Sequence, residues 1–171
     1  MTKRAYRGMD LREPRRVDPI VQVPWRAHVP VTALELSLPA VPESVRDART
    51  AVGDLVAQLT GKETVVDDVR LCVSEAVTNV VRHAYPSVPR TEGRIDVGVD
   101  CGNGELRVVV RDTGCGIAIG SSREMPGGYG LEIIDRLTTR HTVVSGSDSG
   151  TEVAMVFALD TSKANGSHSP R

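Results

Sequence analysis

Apolar residues at Val45, Ala48, Ala51, Val52, Leu55, Val56 and Leu59 recur every three or four positions, the spacing that lays one stripe along an α-helix. This predicts a helix over 42–59, opened by Pro42 and ended by Gly61. Before it, Ala33 to Leu38 alternates apolar and polar residues, as a half-buried strand does. After it, Thr64-Val65-Val66-Asp67 has the S/T-x-x-D/E form of a helix N-cap, so a second helix is expected to start there and run to about Ala84. Pro86 and Pro89 stop it. Strand patterns follow at Arg94 to Asp100, Leu106 to Arg111 and Glu152 to Leu159, with Asn103-Gly104 as a hairpin turn between the first two. A short helix over Gly130 to Leu137 and another strand near Arg140 to Ser145 complete the order. Strand, two helices, strands, short helix, strands: this is an α+β pattern. The expected architecture is a two-layer α/β sandwich, a mixed, mostly antiparallel sheet with helices on one face.

The pattern fails at both ends. Residues 1–31 carry Lys3, Arg4, Arg7, Arg12, Arg15 and Arg16 among four prolines with neither period, and are expected to be a flexible basic arm, a solvated tail or a peptide that docks an acidic partner. Residues 161–171, TSKANGSHSPR, are read as a polar tail. Residues 32–160 form one domain, and 171 residues with 40% apolar composition suffice for one core. The formal net charge of −1, from 21 basic and 22 acidic side chains, supplies no field to hold DNA or anionic lipid. No direct nucleic-acid or membrane partner is therefore expected. Cys72, Cys101 and Cys115 are odd in number and widely spaced, which suits reduced thiols, and no membrane span or signal segment is seen. A cytoplasmic location is expected.

Candidate chemistry begins on the second helix. On a helical wheel Val73, Ala76, Val77, Val80 and Ala84 fall together, while Asp68, Glu75, Asn79, Arg82 and His83 fall opposite. A wet face would account for that row, but asparagine is a mediocre helix former, so propensity does not explain Asn79 in mid-helix. An amide oxygen beside a carboxylate suits Mg²⁺ that keeps its waters and phosphates.

Two glycine loops lie downstream. The strand ending in Arg111 runs directly into Asp112-Thr113-Gly114-Cys115-Gly116. A carboxylate fixed there can accept the exocyclic amine of adenine, and the glycines let backbone pass close to a flat ring. Next, Gly127-Gly128-Tyr129-Gly130-Leu131 opens a helix with free backbone N–H groups, the arrangement that holds phosphate. Neither a Walker loop nor a complete dinucleotide loop is present. Gly150-Thr151, before the last strand, offers a hydroxyl and an amide.

Taken together, E-x-x-x-N-x-x-x-H on a helix, D-x-G-x-G after a strand, G-G-x-G-L before a helix and G-T before a final strand resemble the asparagine box and three glycine boxes of the histidine-kinase-like (GHKL) ATPase superfamily. Within it, LELSLPAVPESVRDARTAV and SEAVTNVVRHAY look most like anti-sigma factor serine kinases of the RsbW/SpoIIAB type, over residues 33 to 159. The resemblance implies ATP and Mg²⁺ as cofactors. It makes Glu75 the general base and Asn79 the metal ligand, with His83 at the edge of the phosphates. Asp112 would read adenine with room made by Gly114 and Gly116, Gly127, Gly128, Gly130 and Leu131 would wrap the phosphates, and Thr151 would close the adenine side. Residues 117 to 127 would be the lid. Cys115 is expected to be a buried, inert thiol, although an exposed one would make the site sensitive to thiol reagents.

The implied function is an anti-sigma serine/threonine kinase that phosphorylates a small antagonist protein and otherwise binds a sigma factor, with homodimers known among relatives. An ATP-binding module that sequesters a partner without phosphotransfer is the alternative. An ATP-hydrolysing clamp is disfavoured by the short chain, and the two-component type of autophosphorylation by the lack of a helical phosphoacceptor segment before the domain.

Overall fold

A computed structural model describes residues 31–87, 89, 91–116, 129–146 and 150–159. Residues 1–30 of the basic arm, the C-terminal tail, the lid at 117–127 and the pair Gly127-Gly128 lie outside the described residues, while Val31 opens the first strand. The element order is β1 (Val31–Pro39), α1 (Glu43–Thr60), α2 (Glu63–Asn79), a π-helical turn (Val80–Ala84), β2 (Arg94–Gly102), β3 (Glu105–Asp112), α3 (Gly130–Leu137), β4 (Arg140–Gly146) and β5 (Gly150–Ala158). Every expected element is present. The strands form one sheet in the order β1-β2-β3-β5-β4. All four pairings are antiparallel, so the sheet expected to be mixed contains no parallel pair among the described residues.

Alternation along the strands gives the sheet two different faces. Ile95, Val97, Val99, Leu106, Val108, Val110, Val153, Met155 and Phe157 point into one core with Val52, Val56, Val69, Val73 and Val77 of the helices. The other face carries ion pairs between strands: Arg107 with Asp100 and Glu152 and Arg111 with Glu152 on neighbouring strands, and Arg140 of β4 with Glu105 of β3 across the intervening β5. These pairs are largely exposed and contribute little each. The helix stripe that faces the sheet is the one read from the sequence: Val73, Ala76, Val77, Val80 and Ala84 are all buried. The Asn103-Gly104 hairpin has both residues at positive φ, 55° and 75°, the twist that joins two strands in two residues.

Two local expectations are corrected. The N-cap of α2 is Lys62, in extended conformation and without a side-chain cap bond, and Thr64 lies inside the first turn. The start is held from elsewhere, by the Lys62 Nζ donating to the Leu159 carbonyl at 2.6 Å across 97 residues. At the other end, the helix does not stay α-helical to Ala84 but widens into the π turn after Asn79. The wider turn leaves the Ala84 carbonyl to accept the Cys115 N–H at 2.9 Å, which joins the helix end to the loop after β3.

Candidate functional site

A cleft opens where the end of α2 passes over β3 and β5. Its lining includes Asn79, His83, Asp112, Gly116, Leu131 and Thr151, with Ala76, Val80, Ala84, Val110 and Val153 as apolar walls. Residues from four separate stretches of the chain, running from Ala76 to Val153, thus meet in one place. Gly114 lies just behind: a methyl group on it would run into the backbone carbonyl of Ala84. Gly130, the first residue of α3, sits against the Glu75 and Asn79 row, where an added Cβ would come 2.8 Å from Glu75 Oε2 and 3.5 Å from Asn79 Nδ2. Glu75 therefore stands at the rim beside the head of α3.

Asp112 is the chemical centre of one end. It is buried, at 7% exposure, yet ionisable. Burial pushes its carboxyl above the ordinary carboxylate range, and the Gly114 N–H, the Thr151 N–H and the Thr151 hydroxyl pull it back by donating to it. The Gly114 bond to Oδ1 is 2.8 Å. A carboxylate has about four acceptor directions, more than these donors use, and Asp112 lines the cleft. An acceptor there is suited to an N–H of a ligand. The apolar walls suit a flat ring beside it.

The other end is wetter. Glu75 and Asn79 are half-buried and His83 is exposed. Among the described residues no three His, Cys, Asp or Glu side chains are grouped to hold a metal ion. A cation at the Asn79 amide oxygen, with Glu75 near it, would complete its shell with water and phosphate oxygens, the habit of Mg²⁺. The donor set fits that ion.

The sequence profile of the histidine kinase-like ATPase domain matches residues 38–157. The chain belongs to this family. Among its relatives is an "Anti-sigma F factor" of Oceanobacillus iheyensis, 30% identical over 140 residues, covering 76% of this chain and 94% of the relative. Another of the same name from Shouchella clausii is 28% identical over 141 residues, covering 77% and 95%. A "Serine-protein kinase RsbW" of Bacillus pumilus is 28% identical over 129 residues and 75% of each chain. The fold is similar to a crystal structure of the RsbU and RsbW domains of a Mycobacterium tuberculosis protein, with a TM-score of 0.58 at 23% identity. That match covers 73% of this chain and 31% of the other, so the chain spans about a third of that larger protein.

Within this histidine kinase-like ATPase domain, Ser145 and Tyr85 are neighbours of the cleft that were not picked out from the sequence, whereas Gly116 and Gly150 stand in the predicted loops. Gly150, at φ 73°, packs its Cα against the Asp112 carbonyl, and Gly116 packs on the Gly146 carbonyl. Ser145 Oγ lies 3.2 Å from Thr151 Oγ1, which extends the polar chain behind Asp112. Tyr85 reaches the same loop from the helix end, its hydroxyl accepting the Thr113 N–H at 3.0 Å. Their partners are distant in sequence, and only the G-T pair carried a hint. Cys115 is exposed, contrary to the expected buried thiol: its N–H is held by the Ala84 carbonyl and its Sγ lies against the backbone carbonyl of the exposed His83 and not in the core. Cys72 is the buried one, and burial, helped by Asp68 and Glu75, pushes its thiol up to about 12. It is inert at neutral pH.

Proposed function

We propose that this chain is a Mg-ATP-dependent serine/threonine protein kinase of the anti-sigma type, which phosphorylates a small antagonist protein and otherwise holds a sigma factor. One observation carries the reading: a buried carboxylate, Asp112, shares a cleft with Asn79, with Glu75 at its rim beside the head of α3. The names of the relatives, anti-sigma F factor and serine-protein kinase, supply the class of partner. The absence of any helix long and apolar enough to cross a membrane, among the described residues, accords with work in the cytoplasm.

Asp112 accepts the adenine amine, while Thr151 and Gly114 hold its carboxylate in place. Gly127, Gly128 and Gly130, with Leu131, present the phosphates to the start of α3, and His83 lines their edge. Asn79 would hold Mg²⁺, which when bound neutralises charge on the phosphates and aligns them. Glu75 takes the proton from the serine or threonine hydroxyl of the antagonist. The hydroxyl oxygen forms its bond to the γ-phosphorus as the bond to the β-bridging oxygen breaks, and ADP leaves. The phosphate added to the antagonist then places charge at the interface between the two proteins, and the exchange of partners follows.

The experiment is capture of bound proteins by the purified full chain, followed by incubation with γ-labelled ATP. Label on a co-purifying small protein is expected. Nucleotide binding with no label on any partner would leave a sequestering ATP-binding module in place of the kinase.

A further inference from the structure

Strands β2 and β3 are in register up to Ile95 opposite Asp112, so the next pair in line is Arg94 opposite Thr113. At that step the hydroxyl of Tyr85 bridges the two strands. It donates to the Arg94 carbonyl at 2.7 Å and accepts the Thr113 N–H at 3.0 Å. Thr113 Oγ1 lies 3.3 Å away. The phenol's single proton is directed at Arg94, so the threonine hydroxyl is the donor in that contact. The aromatic ring lies where Gly93 has no side chain: a Cβ there would come 2.6 Å from ring atom Cδ2. Two residues on, the Cys115 N–H binds the Ala84 carbonyl at 2.9 Å. The turn 113–115 therefore hangs from Ala84 and Tyr85, the last residue of the π turn and the one after it.

That turn decides how Asp112 is presented. Its Oδ1 is occupied by the Gly114 N–H, and the path of the chain through Thr113 sets where that N–H lies. We propose that Tyr85 is a positioning residue for base recognition: its hydroxyl fixes the turn after Asp112 and thereby sets the preference of this cleft for a purine bearing a 6-amino group. The inference rests on the reading of Asp112 as the adenine acceptor. A tie that served only the fold would leave base preference untouched.

The test measures equilibrium binding of ATP and of purine riboside triphosphate, which lacks the 6-amino group, to the full chain and to Tyr85→Phe and Asp112→Asn. The phenylalanine keeps the ring on Gly93 and removes only the bridging oxygen. In Tyr85→Phe, ATP affinity is expected to fall about three- to tenfold, the effect of one ordinary hydrogen bond, with little change for the deamino analogue. Asp112→Asn should show the same selective loss, larger. Equal losses for both nucleotides in Tyr85→Phe, or none, beside a selective loss in Asp112→Asn, would overturn the role of Tyr85 alone. If Asp112→Asn itself does not discriminate between the nucleotides, the adenine reading fails and this inference with it. Should Tyr85→Phe not fold, Thr113→Ala removes the other hydroxyl of the bridge, and its loss should also be confined to ATP; a loss shared by both nucleotides counts against the proposal.

Discussion

The two ends of the cleft are built on opposite principles. At the end proposed for the base, Asp112 is buried and receives three protein donors, and glycines at 114, 116 and 150 are packed against backbone carbonyls. At the end proposed for the phosphates, Glu75, Asn79 and His83 are half-buried or exposed, and among the described residues their side chains make no hydrogen bond or ion pair. The first end is preorganised, so binding there orders little and discriminates by shape and by the carboxylate acceptor. The second keeps its polar groups in water until a charged ligand replaces that water. Under the proposed kinase reading, the rigid grip would fall on the base and the exchangeable contacts on the phosphates, which suits a site that releases product after each transfer.

The comparison breaks most visibly at Glu75. Glu75→Gln keeps the size and polarity of the side chain and removes its basicity. Phosphotransfer to the antagonist is expected to fall about 10²- to 10⁴-fold, the usual range for losing a general base, while ATP binding stays near wild type. Labelled-phosphate transfer and a binding titration on the same preparation separate the two. Loss of binding in step with activity would remove Glu75 from the role of base.

Gly150→Ala strikes the rigid end. The residue has φ 73°, and an added methyl would meet the carbonyl of Asp112 and Cα of Thr113, neither of which can swing aside as a side chain tip would. Left-handed strain and the collision together should cost about 2–3 kcal/mol, read as a fall in melting temperature of about 4–12 °C for a chain of this length. ATP affinity should drop as well, because the carbonyl that must move belongs to Asp112. A destabilised variant with unchanged affinity would uncouple the base site from this packing.

Much of this arrangement was legible along the chain. Alternation in β1, β2, β3 and β5 and the three-and-four spacing of α1 and α2 are set by burial on one face, and burial leaves a periodic trace. The short helix α3 spans Gly130–Leu137 as expected, because its glycine opening and amphipathic run are local. What escaped was decided by long-range contacts. Thr64 has the right chemistry for a cap, yet the helix starts earlier since Lys62 is tied to Leu159. The π turn depends on the Cys115 N–H reaching Ala84, and Tyr85 on Arg94 and Thr113, so no local pattern announces either. For the site, Asn79, His83, Asp112, Gly116, Leu131 and Thr151 all meet in the cleft, with Glu75, Gly114 and Gly130 beside it.

Acid should sharpen the contrast further. Burial lifts the carboxyl of Asp112 above its ordinary 3.8 in the folded chain, despite the three donors. Between the ordinary value and the raised one, the folded chain keeps a proton on Asp112 that the unfolded chain has lost, so this group's contribution to stability declines as pH rises through that window. The effect on ligand runs the other way. Protonation takes away the acceptor, so ATP affinity is expected to weaken on acidification at a pH above the usual carboxylate range, by up to about tenfold for one lost hydrogen bond. Purine riboside triphosphate should not show that step, and Asp112→Asn should abolish it for ATP. A step that survives in the asparagine variant would assign the titration to another group.

The smallest expected effect is also the control for the largest claim about glycine. Gly61 closes α1 in the left-handed conformation, φ 60°, with its N–H on the Ala57 carbonyl, and nothing lies within 4 Å of where a Cβ would stand. Gly61→Ala therefore carries the conformational cost alone, about 1 kcal/mol, and a melting temperature lower by about 2–4 °C. Nucleotide affinity should not change. Gly150 shares the same sign of φ but is enclosed by the backbone of the site, so the difference between the two variants isolates enclosure from backbone strain. If Gly61→Ala weakened ATP binding as Gly150→Ala does, loss of stability alone would explain both, and the glycines around Asp112 would have no special part in holding the base.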